Sequence, residues 1–192
     1  MVRVPSRRSK QVFRKVVDAI GAEPKLFTHR DETEQFEVAI VRAPDRPAEG
    51  FTTFFTVTLN EYPNAVQGQQ IPVEIYGVVD GDGGDFGNAL STCAFNMIKD
   101  GWLIAPGVVH PDVVAMYPGL SSNLPHMLFT YPMDFDTLSA IETTEGDVYS
   151  LQAMPIAESE YVYLLENGFD EMQERLTVAE VDYTDLQREA AF

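Results

Sequence analysis

The sequence has little of what most catalytic chemistry needs. It holds one cysteine, one tryptophan and three histidines in 192 residues. A lone Cys93 builds no disulfide framework and fits a reducing compartment. His29, His110 and His126 share no HExxH or His-x-His spacing, and no CxxC pair exists, so no metal cluster is visible. A Gly-x-Ser-x-Gly nucleophile elbow and a Gly-x-x-x-x-Gly-Lys phosphate loop are both missing. Beyond Arg46 the only lysines and arginines are Lys99, Arg175 and Arg188, too few to clamp a phosphate substrate. No stretch approaches the roughly 18 apolar residues of a membrane span. The start, Met-Val-Arg-Val-Pro-Ser-Arg-Arg, is basic, but the apolar run of about 7–15 residues that a signal peptide needs does not follow. These absences predict a cytoplasmic protein that is not an enzyme and uses no cofactor and no metal.

What is abundant is negative charge. Thirty acids face 13 lysines and arginines, for a net charge of −17. The imbalance is uneven. Residues 1–30 hold eight basic and two acidic residues, leaving +6, so the remaining chain carries −23. From Asp134 onward 15 acids meet only Arg175 and Arg188. A body this acidic repels nucleic acid and anionic membrane and attracts basic partners. Composition alone leaves solubility as an equal explanation. With 45% hydrophobic and 11% aromatic residues, the chain can fill a core.

Periodicity places the elements. Val12, Phe13, Val16, Val17 and Ile20 give a helix over residues 9–20, stopped by Gly21, with basic residues on its other face. That face could contact nucleic acid or membrane, or simply be solvated while the helix packs on its own domain. Residues 1–30 are read as this helix and a linker, and 31–192 as the main domain. Strands are predicted at 36–41, 51–59 and 73–79. In the second, Phe55, Val57 and Leu59 share one face. The DGDGGD run at 80–85 resembles a calcium loop, but Ser91 stands where the closing acid belongs. It reads better as a strand-to-helix loop with Asp85 as N-cap. A helix over 86–100 buries Phe86, Leu90, Cys93, Ala94 and Met97 and ends at Gly101. Residues 103–125, rich in Pro and Gly, form a long irregular excursion. Strands at 126–131 and 148–154, a helix over 158–167 stopped by Gly168, and a short helix over 169–176 complete the chain. The fold class is α+β: a mixed, mostly antiparallel sheet flanked by helices.

Three stretches of the second half carry a resemblance. They are Leu124-Pro-His126-Met127-Leu128-Phe129-Thr130, then Leu151-Gln-Ala-Met154-Pro155-Ile156-Ala157-Glu158-Ser-Glu160-Tyr161, then Glu166-Asn-Gly168 with a short acidic helix after it. This order resembles the suppressor of fused (SUFU) family, with its His-Met-Leu strand, Pro-Ile turn, Glu-x-Glu-Tyr helix and glycine stop. The similarity extends over roughly residues 31–176. Ala157 departs from it, standing where bacterial relatives often have a Ser cap. The stretch is also too short for the second domain of the animal proteins, so their two-domain groove for Gli-type factors is not carried over. The resemblance implies the single-domain bacterial branch. Many members of that branch are thought to be immunity proteins that neutralise toxins, and no catalytic residue is implied.

The partner expected on these grounds is a protein, most plausibly a basic toxin domain. An intracellular adaptor that binds a segment of a cellular protein, by strand addition for instance, is the alternative. A small-molecule site near His110 or His126 is a third reading, set against a structural hydrogen bond for His126. The helix over 158–167 is expected to bury Tyr161, Leu164 and Leu165 and to project Tyr163 outward between Glu160 and Glu166. Tyr163 is either an ordinary exposed tyrosine or an interface anchor. Asp170, Glu171 and Glu174 extend the same acidic region.

Overall fold

The computed structural model describes residues 4–21 and 23–192. In chain order the elements are α1 (Arg7–Ile20), β1 (Lys25–Arg30), β2 (Glu37–Pro44), β3 (Phe51–Thr56), β4 (Ala65–Val66), β5 (Gln69–Gln70) and β6 (Val73–Asp80). There follow α2 (Phe86–Asp100), β7 (Val109–His110), β8 (His126–Thr130), β9 (Ala140–Ile141), β10 (Val148–Ile156), α3 (Glu158–Asn167) and α4 (Phe169–Val178). The main sheet runs β1-β2-β3-β6-β10-β8-β7, with β9 also on β10. Its neighbours are antiparallel except β6 and β10, which run parallel with Tyr149 opposite Val73. The α+β reading stands: a mixed, mostly antiparallel sheet with four helices.

Both sheet faces are covered, so the central strands are apolar on both sides. Val38, Ile40, Phe54, Ile75 and Val79 face α2, which meets them with Phe86, Leu90, Cys93 and Met97. Ala39, Val41, Phe55, Tyr76 and Val78 face the other way, onto Val12, Val16 and Ile20 of α1. At the far end of that second face, Leu128, Met154 and Ile156 pack under Leu164, Met172 and Leu176 of α3 and α4. The sheet thus holds α1 near one edge and the α3–α4 pair near the other. No described helix is long and apolar enough to cross a membrane.

Local chemistry sets several boundaries. Helix α1 begins at Arg7, two residues earlier than its apolar spacing indicates, because Ser6 Oγ caps it by accepting from Ser9 N at 3.1 Å. Residues 25–30, read from sequence as linker, form β1 and pair with β2 in register Lys25 to Arg42. Strand β3 stops at Thr56. Leu59 therefore does not join Phe55 and Val57, and turns into the core under α2. The cause is Glu74, whose carboxylate accepts from Leu59 N and Asn60 N, both at 3.2 Å, and draws the chain into a turn. Asp85 occupies the N-cap position of α2, yet its carboxylate accepts from the Asn88 side chain (2.8 Å) and caps no backbone N–H. The DGDGGD loop ties itself internally, with Asp82 Oδ1 accepting from Gly84 N at 2.9 Å.

Gly77 in β6 lies against α2, where an added Cβ would sit 2.4 Å from the Phe86 ring. Gly77→Ala is expected to lower stability by about 1–3 kcal/mol through overpacking. Urea unfolding with an unchanged m-value would report it.

Candidate functional site

The acidic second half folds into α3, α4 and a C-terminal tail that returns over both. Helix α3 starts without a side-chain cap at Ala157. Its third residue supplies the missing bond instead: Glu160 Oε2 accepts from Ala157 N at 2.8 Å. Glu160 is fully buried. It also accepts from Arg188 Nη1 (2.6 Å), Arg188 Nη2 (2.9 Å) and Ala191 N (2.9 Å). Arg188, 8% exposed, donates as well to Pro155 O at 3.1 Å. Burial pushes the Glu160 carboxyl upward, but the arginine and the two backbone N–H groups outweigh it and hold the pKa below its ordinary value.

This corrects the expected patch. Glu160 is not a surface acid beside Tyr163 but the buried anchor of the tail. Tyr163 is half-buried, its ring 4.9 Å from Phe192 and 4.6 Å from the Arg175 guanidinium. Arg175 also stacks 4.3 Å from the Phe192 ring. Leu165, expected inside, is 69% exposed, and the buried residues of α3 are Glu160 and Leu164, in line with Ala157 at its N-cap. Tyr161 is half-buried and lies 5.0 Å from the His126 ring. The tail explains the shift: it covers the side of α3 that a helix considered alone would show to water.

The remaining acids stay outside. Glu166, Asp170, Glu171 and Glu174 are all exposed. Arg188 is spent inward in a buried ion pair, whereas Arg175 is exposed and lies over the Tyr163 and Phe192 rings. Within α3–α4 the exposed acids are opposed by the charge of Arg175 alone. In the sequence alone Arg175 and Arg188 stand out only as a count. Their isolation among 15 acids was the available signal that each has a specific partner.

His126 and His110 are held by structural contacts. His126 Nδ1 accepts from Asp112 N at 3.0 Å, and Nε2 lies 2.7 Å from Glu158 Oε2. The pair pins the end of the excursion to the first turn of α3. His110 is buried between Trp102 and Phe129, and its Nε2 lies 3.1 Å from Leu103 O. Burial drops its pKa to about 4. A groove of about 480 Å³ borders the excursion, lined by Ile104, Pro106, Tyr131, Tyr149 and other mostly apolar residues, and it includes neither histidine. Cys93 is fully buried under the sheet, and burial raises its thiol pKa far above the usual range. Among the described residues no three His, Cys, Asp or Glu side chains converge to hold a metal.

The sequence model of the suppressor of fused protein (SUFU) family matches residues 33–189. The chain is 30% identical over 188 residues to immunity protein YqcF of Bacillus subtilis strain 168, spanning 96% of this chain and 97% of that protein. The crystal structure of a SUFU homolog from Neisseria gonorrhoeae FA 1090 superposes with TM-score 0.70 at 13% identity, over 96% of this chain and 97% of that one. A chain of the Sufu–Fu complex gives 0.72 at 12% identity, over 98% and 94%. Drosophila Suppressor of Fused gives 0.69 at 12% identity, covering 98% of this chain and 52% of that one. At such identities the structural likeness speaks for the fold.

Proposed function

The chain belongs to the suppressor of fused family, and from that premise we propose that it is an immunity protein, a non-catalytic domain that neutralises a cognate toxin by binding it. The observation that carries this reading is the near full-length similarity to immunity protein YqcF. The toxin surface it suits is basic. The exposed acids of α3–α4 outnumber the one cation of the pair, Arg175, so the net field there is negative and steers a basic partner into contact. Arg188, bonded to Glu160 of α3 and to Pro155 O of β10, also ties the tail and α3 to the sheet, which lowers the ordering cost of binding.

The test is co-expression with the product of an adjacent toxin-like gene. Restored growth and co-purification support the reading. Unrelieved growth arrest, with both proteins present, overturns it. For the contact face, the triple variant Glu166→Lys, Glu171→Lys, Glu174→Lys is expected to slow association with that toxin by about tenfold or more at low salt. It should also flatten the salt dependence of the association rate. Stopped-flow mixing at several ionic strengths measures both, and an unaltered rate and salt slope would place the contact elsewhere.

A further inference from the structure

The positive end of this protein has its own geometry. Strand β1 closes the sheet at one side, and among the described residues no strand pairs with its outer edge. The ladder to β2 fixes which groups point outward. Asp31 N donates to Phe36 O at 3.1 Å, and the register alternates from there. The backbone groups of Lys25, Phe27 and His29 therefore face β2, while those of Leu26, Thr28 and Arg30 face outward, unpaired. Natural sheets usually blunt such an edge. Here two apolar side chains flank it instead: Leu26 on the α1 side is 52% exposed and Phe27 on the α2 side is 46% exposed.

Beside this edge lies a groove of about 330 Å³ between α1 and the sheet. Phe13, Leu26, Ala39 and Val57 form its apolar floor, and Lys10 and Arg14 stand on its rim. Other cations of α1 turn elsewhere, Lys15 lying 4.0 Å from Glu142 and Arg8 donating to Glu145 O at 2.7 Å. Lys10, Arg14 and Lys25, by contrast, make no ion pair and no hydrogen bond at their charged ends among the described residues. An open strand edge, apolar seats on both faces and three free cations thus coincide on a molecule whose net charge is −17.

We infer that the outer edge of β1, with the α1 groove, docks an extended acidic segment of a partner protein by strand addition. Backbone pairing supplies register; on the α1 face apolar side chains fill the groove beside Leu26 and carboxylates meet Lys10 and Arg14, and on the α2 face apolar side chains cover Phe27 and a carboxylate meets Lys25. Charge decides the occupant. A second copy pairing antiparallel through the same edge would bring Lys25 and Arg30 of the two strands together, which is unfavourable. Nucleic acid could use the cations but not the strand edge, and the −23 body would repel it. The surface sits at the edge of the sheet opposite to α3–α4, so it does not depend on the toxin reading.

The probe is an N-acetylated nine-residue peptide of repeating Val-Val-Glu-Glu, which places valine and glutamate on each face of a strand, compared with its Val-Val-Lys-Lys counterpart and with oligothymidine. Binding is followed on the full-length protein by amide NMR shifts. The expected result is that the glutamate peptide shifts the amides of Leu26, Thr28 and Arg30 together with α1. The triple variant Lys10→Glu, Arg14→Glu, Lys25→Glu should weaken it by about tenfold or more. Thr28→Pro removes an outward N–H without touching the β1–β2 ladder, so it should abolish binding while the melting curve stays in place. The inference is overturned if the glutamate peptide leaves those amides unmoved, if the lysine peptide binds there equally well, if oligothymidine alone occupies the face, or if a folded Thr28→Pro variant binds as before.

Discussion

Arg188→Ala is expected to cost about 3–5 kcal/mol of stability, because it strands a fully buried carboxylate. Glu160 sits at 0% exposure and receives two of its four hydrogen bonds from Arg188. The same substitution leaves Pro155 O without its arginine donor and loosens the tail that covers α3. For a chain of this size the loss corresponds to a fall in Tm of roughly 6–20 °C. Chemical denaturation and thermal melting both read it, with Glu166→Gln on the exposed side of the same helix as a near-neutral control. Adding Glu160→Gln to Arg188→Ala should recover part of the loss. A neutral amide oxygen still accepts from Ala157 N or Ala191 N but carries no unpaired charge. Strict additivity of the two single changes would sink the argument, since it denies that the residues act as a pair. The folded pKa of Glu160 is depressed, so this stability is present above the ordinary carboxyl pKa. It is lost as pH falls through the depressed folded value.

That ion pair also marks where the sequence stopped being legible. Helices α2 and α3 could be bounded from the chain because Gly101 and Gly168 end them, and their apolar spacing is regular. The central strands were legible for the same local reason, since Val38, Ile40, Ile75 and Val79 are apolar at strand spacing. Strand β1 was not, because a six-residue edge strand with exposed side chains on both faces carries no alternating pattern. The tail was not, because residues 179–192 have no periodicity, and their order comes from contacts with residues far away in sequence, such as Asp80 N to Thr184 O at 2.9 Å. Hence the family was identifiable from strand and turn motifs. The composition of the acidic face was right for Glu166, Asp170, Glu171 and Glu174 as exposed acids and wrong for Glu160. Glu160 shares a helical face with Ala157 and Leu164, but its charge assigns it to water, and only Arg188 from the returning tail lets it sit inward.

The second large effect is a pair of opposed pH dependences that conceal one another. Glu74 is completely buried in β6, and burial raises its pKa to about 7 despite hydrogen bonds from Asn60 and Thr56 and the backbone N–H groups of Asn60 and Leu59. Its folded pKa lies above its unfolded one, so its contribution is intact below about pH 4.5 and is lost as pH rises to about 7. At roughly 1.36 kcal/mol per pH unit, the loss is about 3 kcal/mol. His110 does the reverse. Its folded pKa is about 4 against 6.5 unfolded, so its contribution is present above pH 6.5 and is lost as pH falls toward 4, again by about 3 kcal/mol. The two windows overlap almost completely, so across pH 4.5–6.5 these groups cancel in the wild-type protein. Each single variant should uncover the other. Glu74→Gln is expected to become more stable with rising pH over that range, and His110→Gln less stable. Glu74→Gln carries a constant penalty as well, because its amide must sit among donors from Asn60, Thr56 and Leu59. The slope therefore tests the idea, and the absolute stability does not. Urea titrations at half-unit pH intervals measure it. Parallel curves for wild type and Glu74→Gln would mean that the Glu74 carboxyl stays ionised through the whole range, held by its four donors. Parallel curves for His110→Gln would mean that its ring takes up a proton inside the fold.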